Sequence, residues 1–379
     1  MDASALLWKQ WHKQVKDLFG KMHGHQKKTL AFFVMGIVLS GTAVLQRMTE
    51  RLSEHGISEA KMPSIERRLA RFIANDHIVV EDVWKQFIAQ VLPFWRDHKL
   101  RFVLDMTPFN AEATSIYVGL LVHFRLLPVA WCTMPAKTKW QEGQWSIVER
   151  LLDAIIPYLG KAECTLIADR GLVGAPLVKI CQARGWHYLL RVRKADTCRR
   201  KMGGAFCRTW SRFDTFIRKP TERWSGRAIV WQEEPIETNV SAYWDPAYEE
   251  AWLLISDLPA GRSRIAEYAL RMRVEATFED QKSRGWNLEA SGITELARLD
   301  RLLLGLFLAM WWVCHLAASC MHHGERHRFD RHDRRDKGIF RLGRLWLLNI
   351  LHRAPSTGAI CSCLPFTRRK NGWMFSLRF

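Results

Sequence analysis

The sequence has no CxxC pair, although nine cysteines stand at 132, 164, 181, 198, 207, 314, 320, 361 and 363. An odd count without paired spacing argues against a closed disulfide framework and fits a reducing cytoplasm. A secretory leader is also missing. The opening MDASALLWKQWHKQVKD has neither the short apolar core nor the small-residue cleavage site of an export signal, so a cytoplasmic location is expected. No internal repeat is apparent. Two apolar runs, residues 30–45 and 302–318, lack acids, lysine and arginine, but at 16 and 17 residues they sit at the lower limit for crossing a bilayer. Gly36, Ser40, Gly41 and Thr42 in the first and Gly305 and His315 in the second suit helices packed inside a protein, leaving a basic membrane protein as the less favoured alternative.

Acid is scarce: 38 aspartates and glutamates face 57 lysines and arginines, for a formal net charge of +19. The excess runs through the whole chain and points to a polyanionic partner, with solubility or a ribosomal or membrane-surface role as the blander readings. A hydrophobic fraction of 48% over 379 residues supplies at least one full core. The length suggests roughly two to three domains.

Helical patterns fill residues 4–19, 29–54, 64–74 and 80–92, giving an all-α N-terminal domain over 1–95 that is expected to bind DNA. In SIERRLARFIAND, Arg67, Arg68 and Arg71 share one flank while Ile65, Leu69, Phe72 and Ile73 make the apolar side. Such a helix can lie on a duplex or present a solvated basic face. From Lys99 three apolar runs (LRFVLD, TSIYVGLLVHF and LLPVAWCTM) read as an antiparallel meander. A helix over 144–159, the strand CTLIAD, a helix over 174–184 and the strand HYLLRVR then predict an α/β layer with parallel pairing. This domain spans 96–320 and is interrupted at 195–260 by a β-rich insertion. Helices return over 263–283 and 294–319. A His/Arg-rich link leads to a last helix over 341–352, so 321–379 forms a basic C-terminal region for dimerisation or DNA contact.

Asp105 ends one apolar strand and Asp169 another, where an α/β sheet exposes a site. Each could equally cap its own turn. In RIAEYALRMRVEATFEDQKSRG, a regular helix puts Tyr268, Arg271, Glu275 and Lys282 at about 0°, −60°, −20° and −40°, one polar stripe. A solvated face with an Arg271–Glu275 pair explains it too. Glu279, at about 20°, shares the stripe, so helical geometry alone does not choose between the two glutamates.

The pattern YxxRxxxExxxxxxK, filled by Tyr268, Arg271, Glu275 and Lys282, resembles the signature of the bacterial "IS four" family of insertion-sequence transposases. LDMT and ADRG followed by YLLRVRK resemble that family's two aspartate strands, and the likeness covers residues 101–290. It implies an RNase H-like catalytic core with a β-rich insertion, and it selects Asp105, Asp169 and Glu275 as the catalytic and metal-binding triad. Two Mg2+ ions, replaceable by Mn2+, suit three such carboxylates. The resemblance further implies DNA contacts by Tyr268, Arg271 and Lys282, with Arg191 a further backbone contact, while Arg170 either contacts DNA or braces the Asp169 turn. It also implies stacking of a flipped base on Trp252 at a hairpin, with Trp231 as its rival and a core tryptophan as the alternative. Glu279 departs from relatives that carry lysine there.

The implied substrates are double-stranded terminal inverted repeats and target DNA, nicked and joined by a homodimer that associates with the nucleoid when DNA-bound. A catalytically inactive DNA-binding regulator is the main alternative. Cys320, His322, His323, His327 and His332 match no zinc spacing. Their neighbours Arg326, Arg328, Arg331, Arg334 and Arg335 favour a loop resting on phosphates over a solvated linker.

Overall fold

The spacing of apolar side chains accounts for the first helices of the computed structural model, which describes residues 3–96, 98–122, 125–281, 285–331, 333 and 337–352. Helix α1 (Ala3–Leu18) buries Leu7, Trp11, Val15 and Leu18, three or four residues apart, and the Trp11 indole N–H donates to the Ala31 carbonyl at 2.8 Å. Helix α2 (Gly24–Ser40) opens on a capping box between His23 and Gln26 and buries every residue from Leu30 to Leu39. A helix apolar all round must be enclosed by protein. It is followed by α3 (Leu45–Glu54), α4 (Met62–Ile73) and α5 (Val80–Val91).

The sequence suggested one helix over 29–54, but the chain bends by 90° between α2 and α3. Gly41 takes φ 70, donates its N–H to the Ile37 carbonyl and leaves room for the Arg344 guanidinium where a Cβ would stand. Glycine therefore ends α2 despite the continuous apolar pattern.

The meander follows as expected: β1 (Lys99–Pro108), β2 (Ala113–Val122) and β3 (Arg125–Pro135) pair antiparallel. After α6 (Gln144–Ile155) comes β4 (Glu163–Ala168), then α7 (Ala175–Ala183) and β5 (His187–Arg191). Strand β4 lies parallel to both β1 and β5, the pairing that strand–helix–strand connectivity demands. This is the RNase H-like core.

The β-rich insertion contributes β6 (Thr197–Met202), β7 (Ala205–Phe206), β8 (Ser211–Arg212), β9 (Arg223–Val230), β10 (Ile236–Tyr243) and β11 (Trp252–Ser256). It continues the core sheet, because β11 pairs antiparallel with β5 and the order among the described residues is β3-β2-β1-β4-β5-β11-β10-β9-β6-β7, with β8 beside β6. The insertion thus covers the β5 edge, which would otherwise expose unpaired backbone groups.

The single helix expected over 263–283 is divided into α8 (Arg262–Ala269), a 3-10 turn (Leu270–Met272) and α9 (Arg273–Gln281). Helix α10 (Leu296–His322) is long and apolar enough to cross a membrane, yet 94% of its apolar window is buried inside the protein. It packs on α2, α4 and β3 and on the last helix, α11 (Ile339–His352). Arg301 ties it to the N-terminal helices by donating to the Ile73 carbonyl at 2.6 Å and pairing with Asp76. The Trp311 indole N–H donates to the Pro128 carbonyl on β3, also at 2.6 Å.

Candidate active site

The parallel pairing of β1 and β4 sets Leu104 opposite Ala168, so the next residue on each strand, Asp105 and Asp169, stands at the same level. Asp169 follows the last residue of β4, as the sequence implied. Asp105 does not end its strand. Strand β1 runs on to Pro108 along β2 after its parallel partner has stopped, so Asp105 projects from a continuing strand where β4 leaves a gap.

Helix α8 and its 3-10 turn close over this gap. The Arg271 guanidinium donates to Asp105 Oδ2 at 3.0 Å and lies 3.4 Å from Asp169 Oδ2, bridging both carboxylates. The Tyr268 hydroxyl donates to Asp169 Oδ1 at 3.0 Å, and Arg191 Nη1 stands 3.7 Å from the same oxygen. Arg271 is only 9% exposed in its side chain, against 17% for Asp105 and 26% for Asp169, so little water screens the three charges. Helix α8 is anchored beneath by the buried Glu267, which pairs with Arg101 of β1 at 2.5 Å and with Arg264 at 2.6 Å.

The two aspartates differ in proton affinity. Burial raises Asp105 above the usual carboxyl range, offset in part by Arg271 and its own hydrogen bond from the Met106 N–H, with Asp169 and Glu275 adding to the rise. Burial pushes Asp169 the same way but is outweighed by Arg271, the Arg170 backbone N–H, Arg191 and the Tyr268 hydroxyl, which together hold it low. The Tyr268 phenol is raised by burial and then by Asp169, which keeps it a hydrogen-bond donor. Desolvation and charge pairing thus oppose each other at this site, with different winners at neighbouring acids.

Glu275 lies exposed on α9, near enough to act on Asp105 and Arg271 through its charge. Thr277, two residues on, fixes α9 to the sheet by accepting a hydrogen bond from the Leu126 N–H at 3.1 Å. Glu279 is also exposed on α9. Lys282 lies outside the described residues. Among the described residues no three His, Cys, Asp or Glu side chains stand together closely enough to share a metal. The Arg271 guanidinium occupies the space between the two aspartates that do converge.

Trp252, the first residue of β11, is 8% exposed and packs edge-on against Tyr268 at 5.3 Å, with Tyr248 tilted over it at 5.1 Å. It therefore adjoins the carboxylate pair through one tyrosine. Trp231 is not in a strand, contrary to its alternating context. It follows the end of β9 with φ 61 and donates its backbone N–H to the Thr197 carbonyl at 2.9 Å.

One participant escaped the sequence reading. Glu250, in the 244–251 connector before β11, pairs with Arg170 at 2.7 Å, Lys194 at 3.1 Å and Arg191 at 3.4 Å. The Arg170 side chain thus turns to Glu250, and only its backbone N–H braces Asp169. The acidic pair Glu249–Glu250, in a stretch from 228 to 261 that holds no lysine or arginine, was the available signal. In the His/Arg-rich link, Arg326, Arg328 and Arg331 pair with Asp330, Glu325 and Asp333 of the same segment, while His332, Arg334 and Arg335 lie outside the described residues. His323 and His327 lie against the Ser319 and Gly324 carbonyls, and the His322 side chain lies outside the described residues.

No curated protein matches the chain. Residues 132–312 match the family described as "Transposase DDE domain", a span that begins after Asp105 and contains Asp169, Arg191, Trp252, Tyr268, Arg271 and Glu275. Together with the RNase H-like core, this match supports a DDE transposase.

Proposed function

We propose that this chain cuts the terminal inverted repeats of an insertion sequence of the "IS four" type and joins them to target DNA. The observation that carries the proposal is the convergence of Asp105 and Asp169 from adjacent parallel strands onto one cation position, filled here by Arg271. Partly buried carboxylates that gather around a guanidinium have the charge and the hard oxygen donors to take Mg2+ or Mn2+. Divalent metals are general among DDE transposases. Here Asp105 and Asp169 would hold them, with Glu275 as the third ligand brought in from α9. The metals would supply activation of water or of a 3′-hydroxyl and stabilisation of the leaving oxygen.

The chain's own groups do the remaining work. Tyr268 keeps its proton, orients Asp169 and adds to the Arg271, Arg170 and Arg191 contributions that keep that carboxylate ionised. Arg271, if displaced from between the aspartates, would be free for a phosphate oxygen, the role also assigned to Lys282. Trp252, lying against Tyr268, would stack on a base extruded at a hairpin end once Tyr248 moved aside. Residues 193–227 carry eleven lysines and arginines against three acids, a charge balance suited to DNA along the insertion.

The helical region would grip DNA with α4. Arg67, Arg68 and Arg71 line a cleft of about 450 Å3 shared with His25, Gln26 and Thr29 of α2, well suited to backbone phosphates. Handling two DNA ends calls for a homodimer, with residues 321–379 available for that contact or for DNA, and DNA-bound molecules would join the nucleoid.

The test uses a plasmid that carries the encoding gene with its own flanking DNA. Wild-type protein with Mg2+ should nick at the gene's flanks and join the freed ends elsewhere, while Glu275→Gln should bind the flanks but do neither. Cleavage and joining by Glu275→Gln at wild-type rate would remove the glutamate from the mechanism.

A further inference from the structure

The three cations held by Glu250 come from three separate places: the turn after β4 for Arg170, the end of β5 for Arg191 and the turn after β5 for Lys194. They meet beside Asp169, which Arg191 also faces at 3.7 Å. Glu250 uses both oxygens. Oε2 takes Arg170 and Arg191, and Oε1 takes Lys194. Even with Asp169 facing Arg191, the three cations outnumber the two carboxylates, and Arg170 and Lys194 remain 49% and 43% exposed in their side chains. A surplus of positive charge therefore faces solvent within reach of the candidate active site.

We propose that Arg170, Arg191 and Lys194 form a subsite for a DNA phosphodiester next to the reacting strand, and that Glu250 occupies this subsite as a phosphate mimic until DNA displaces it. A carboxylate offers two acceptor oxygens in a plane, as the non-bridging oxygens of a phosphodiester do, so the same forked donors serve both anions. DNA has the advantage of a run of phosphates and of the counterions it releases on binding. The connector bearing Glu250 also carries Tyr248, whose ring lies over Trp252, so its displacement would uncover a stacking surface and the cation cluster together. The connector folds on itself, the Trp244 indole N–H donating to the Tyr248 carbonyl at 3.0 Å and the Tyr248 N–H to the Asp245 carbonyl at 3.0 Å, while backbone bonds to Thr221 and Glu222 pin Trp244 and leave the 245–250 part to swing. Hydrogen-bonded contact with the cations keeps the Glu250 carboxyl low, Lys194 first among them, so the mimic is ionised wherever DNA binding is measured.

This inference rests on the DNA-acting function proposed above, and the experiment separates the two. Binding of a short labelled duplex oligonucleotide is followed by fluorescence anisotropy in EDTA over a range of salt. The proteins are the wild type, Glu250→Gln, the double variant Arg170→Gln/Lys194→Gln, and all three substitutions together. The expected result is that Glu250→Gln binds roughly three- to tenfold tighter than wild type, with a steeper salt dependence, because cations are released to phosphates. The double variant should bind more weakly with a shallower slope, and adding Glu250→Gln to it should change little. An equal gain from Glu250→Gln with and without Arg170 and Lys194 would reduce the effect to general charge and overturn the subsite, as would no gain at all. Failure of the wild type to bind the duplex would instead overturn the DNA-acting function.

Discussion

The buried Arg271 lies between two partly buried carboxylates, and replacing it by methionine tests whether the site is built for a cation. Methionine keeps much of the side-chain volume and removes the charge. It leaves Asp105 and Asp169 facing each other with only Tyr268, Arg191 and backbone N–H groups to compensate. Removing one partner from a buried ion pair costs about 3–5 kcal/mol, because the remaining charge stays buried without compensation. At neutral pH in EDTA, Arg271→Met should therefore melt well below wild type by circular dichroism. The sign of the pH effect follows from the two shifts. In wild type, Asp169 is held low, so its contribution is present above its unfolded value and lost as pH falls through its folded one. Asp105 is raised, so its contribution is full at low pH and lost as pH rises through its folded value. Without Arg271 burial and mutual repulsion raise both, and the deficit should shrink as pH is lowered from about 7 toward 5, above the unfolded aspartate value near 3.9. Mg2+ or Mn2+ should raise the melting temperature of the variant more than that of wild type, since the metal no longer competes with the guanidinium. A variant as stable as wild type at neutral pH, or a deficit that grows on acidification, would refute the reasoning.

Tyr268→Phe removes one of the groups that lower Asp169, so the acidic limb of metal-dependent DNA cleavage should move to higher pH while the fold is retained; an unchanged limb would detach the hydroxyl from that carboxylate. Trp252→Ala should impair formation and opening of a DNA hairpin more than the first nick, measured on end-labelled substrate, and equal losses at both steps would leave the indole a packing role only.

The sequence made the sheet legible because its patterns were local. Continuous apolar runs marked β4 and β5, and their spacing around α7 required parallel pairing. Asp105 and Asp169 were therefore visible before their meeting was. Three features depended on contacts distant in sequence. Gly41 broke the long helix because Arg344, some three hundred residues later, fills the space beside it. The 3-10 turn at Leu270–Met272 interrupted the helical arithmetic that had put Tyr268, Arg271 and Glu275 on one stripe. As a result Tyr268 and Arg271 are buried at the carboxylate pair while Glu275 is exposed. Glu250 was missed because its three partners lie 56 to 80 residues before it, and no periodicity links a connector to the turns it faces.

The central claim, that Asp105 and Asp169 together hold a divalent cation, is tested most directly by Mn2+ binding followed by electron paramagnetic resonance on the full chain with duplex DNA. Wild type should take up Mn2+ and release it when Mg2+ is added in competition, and Asp105→Asn and Asp169→Asn should each lose that uptake while still binding the duplex. Undiminished Mn2+ binding by both variants would contradict the account.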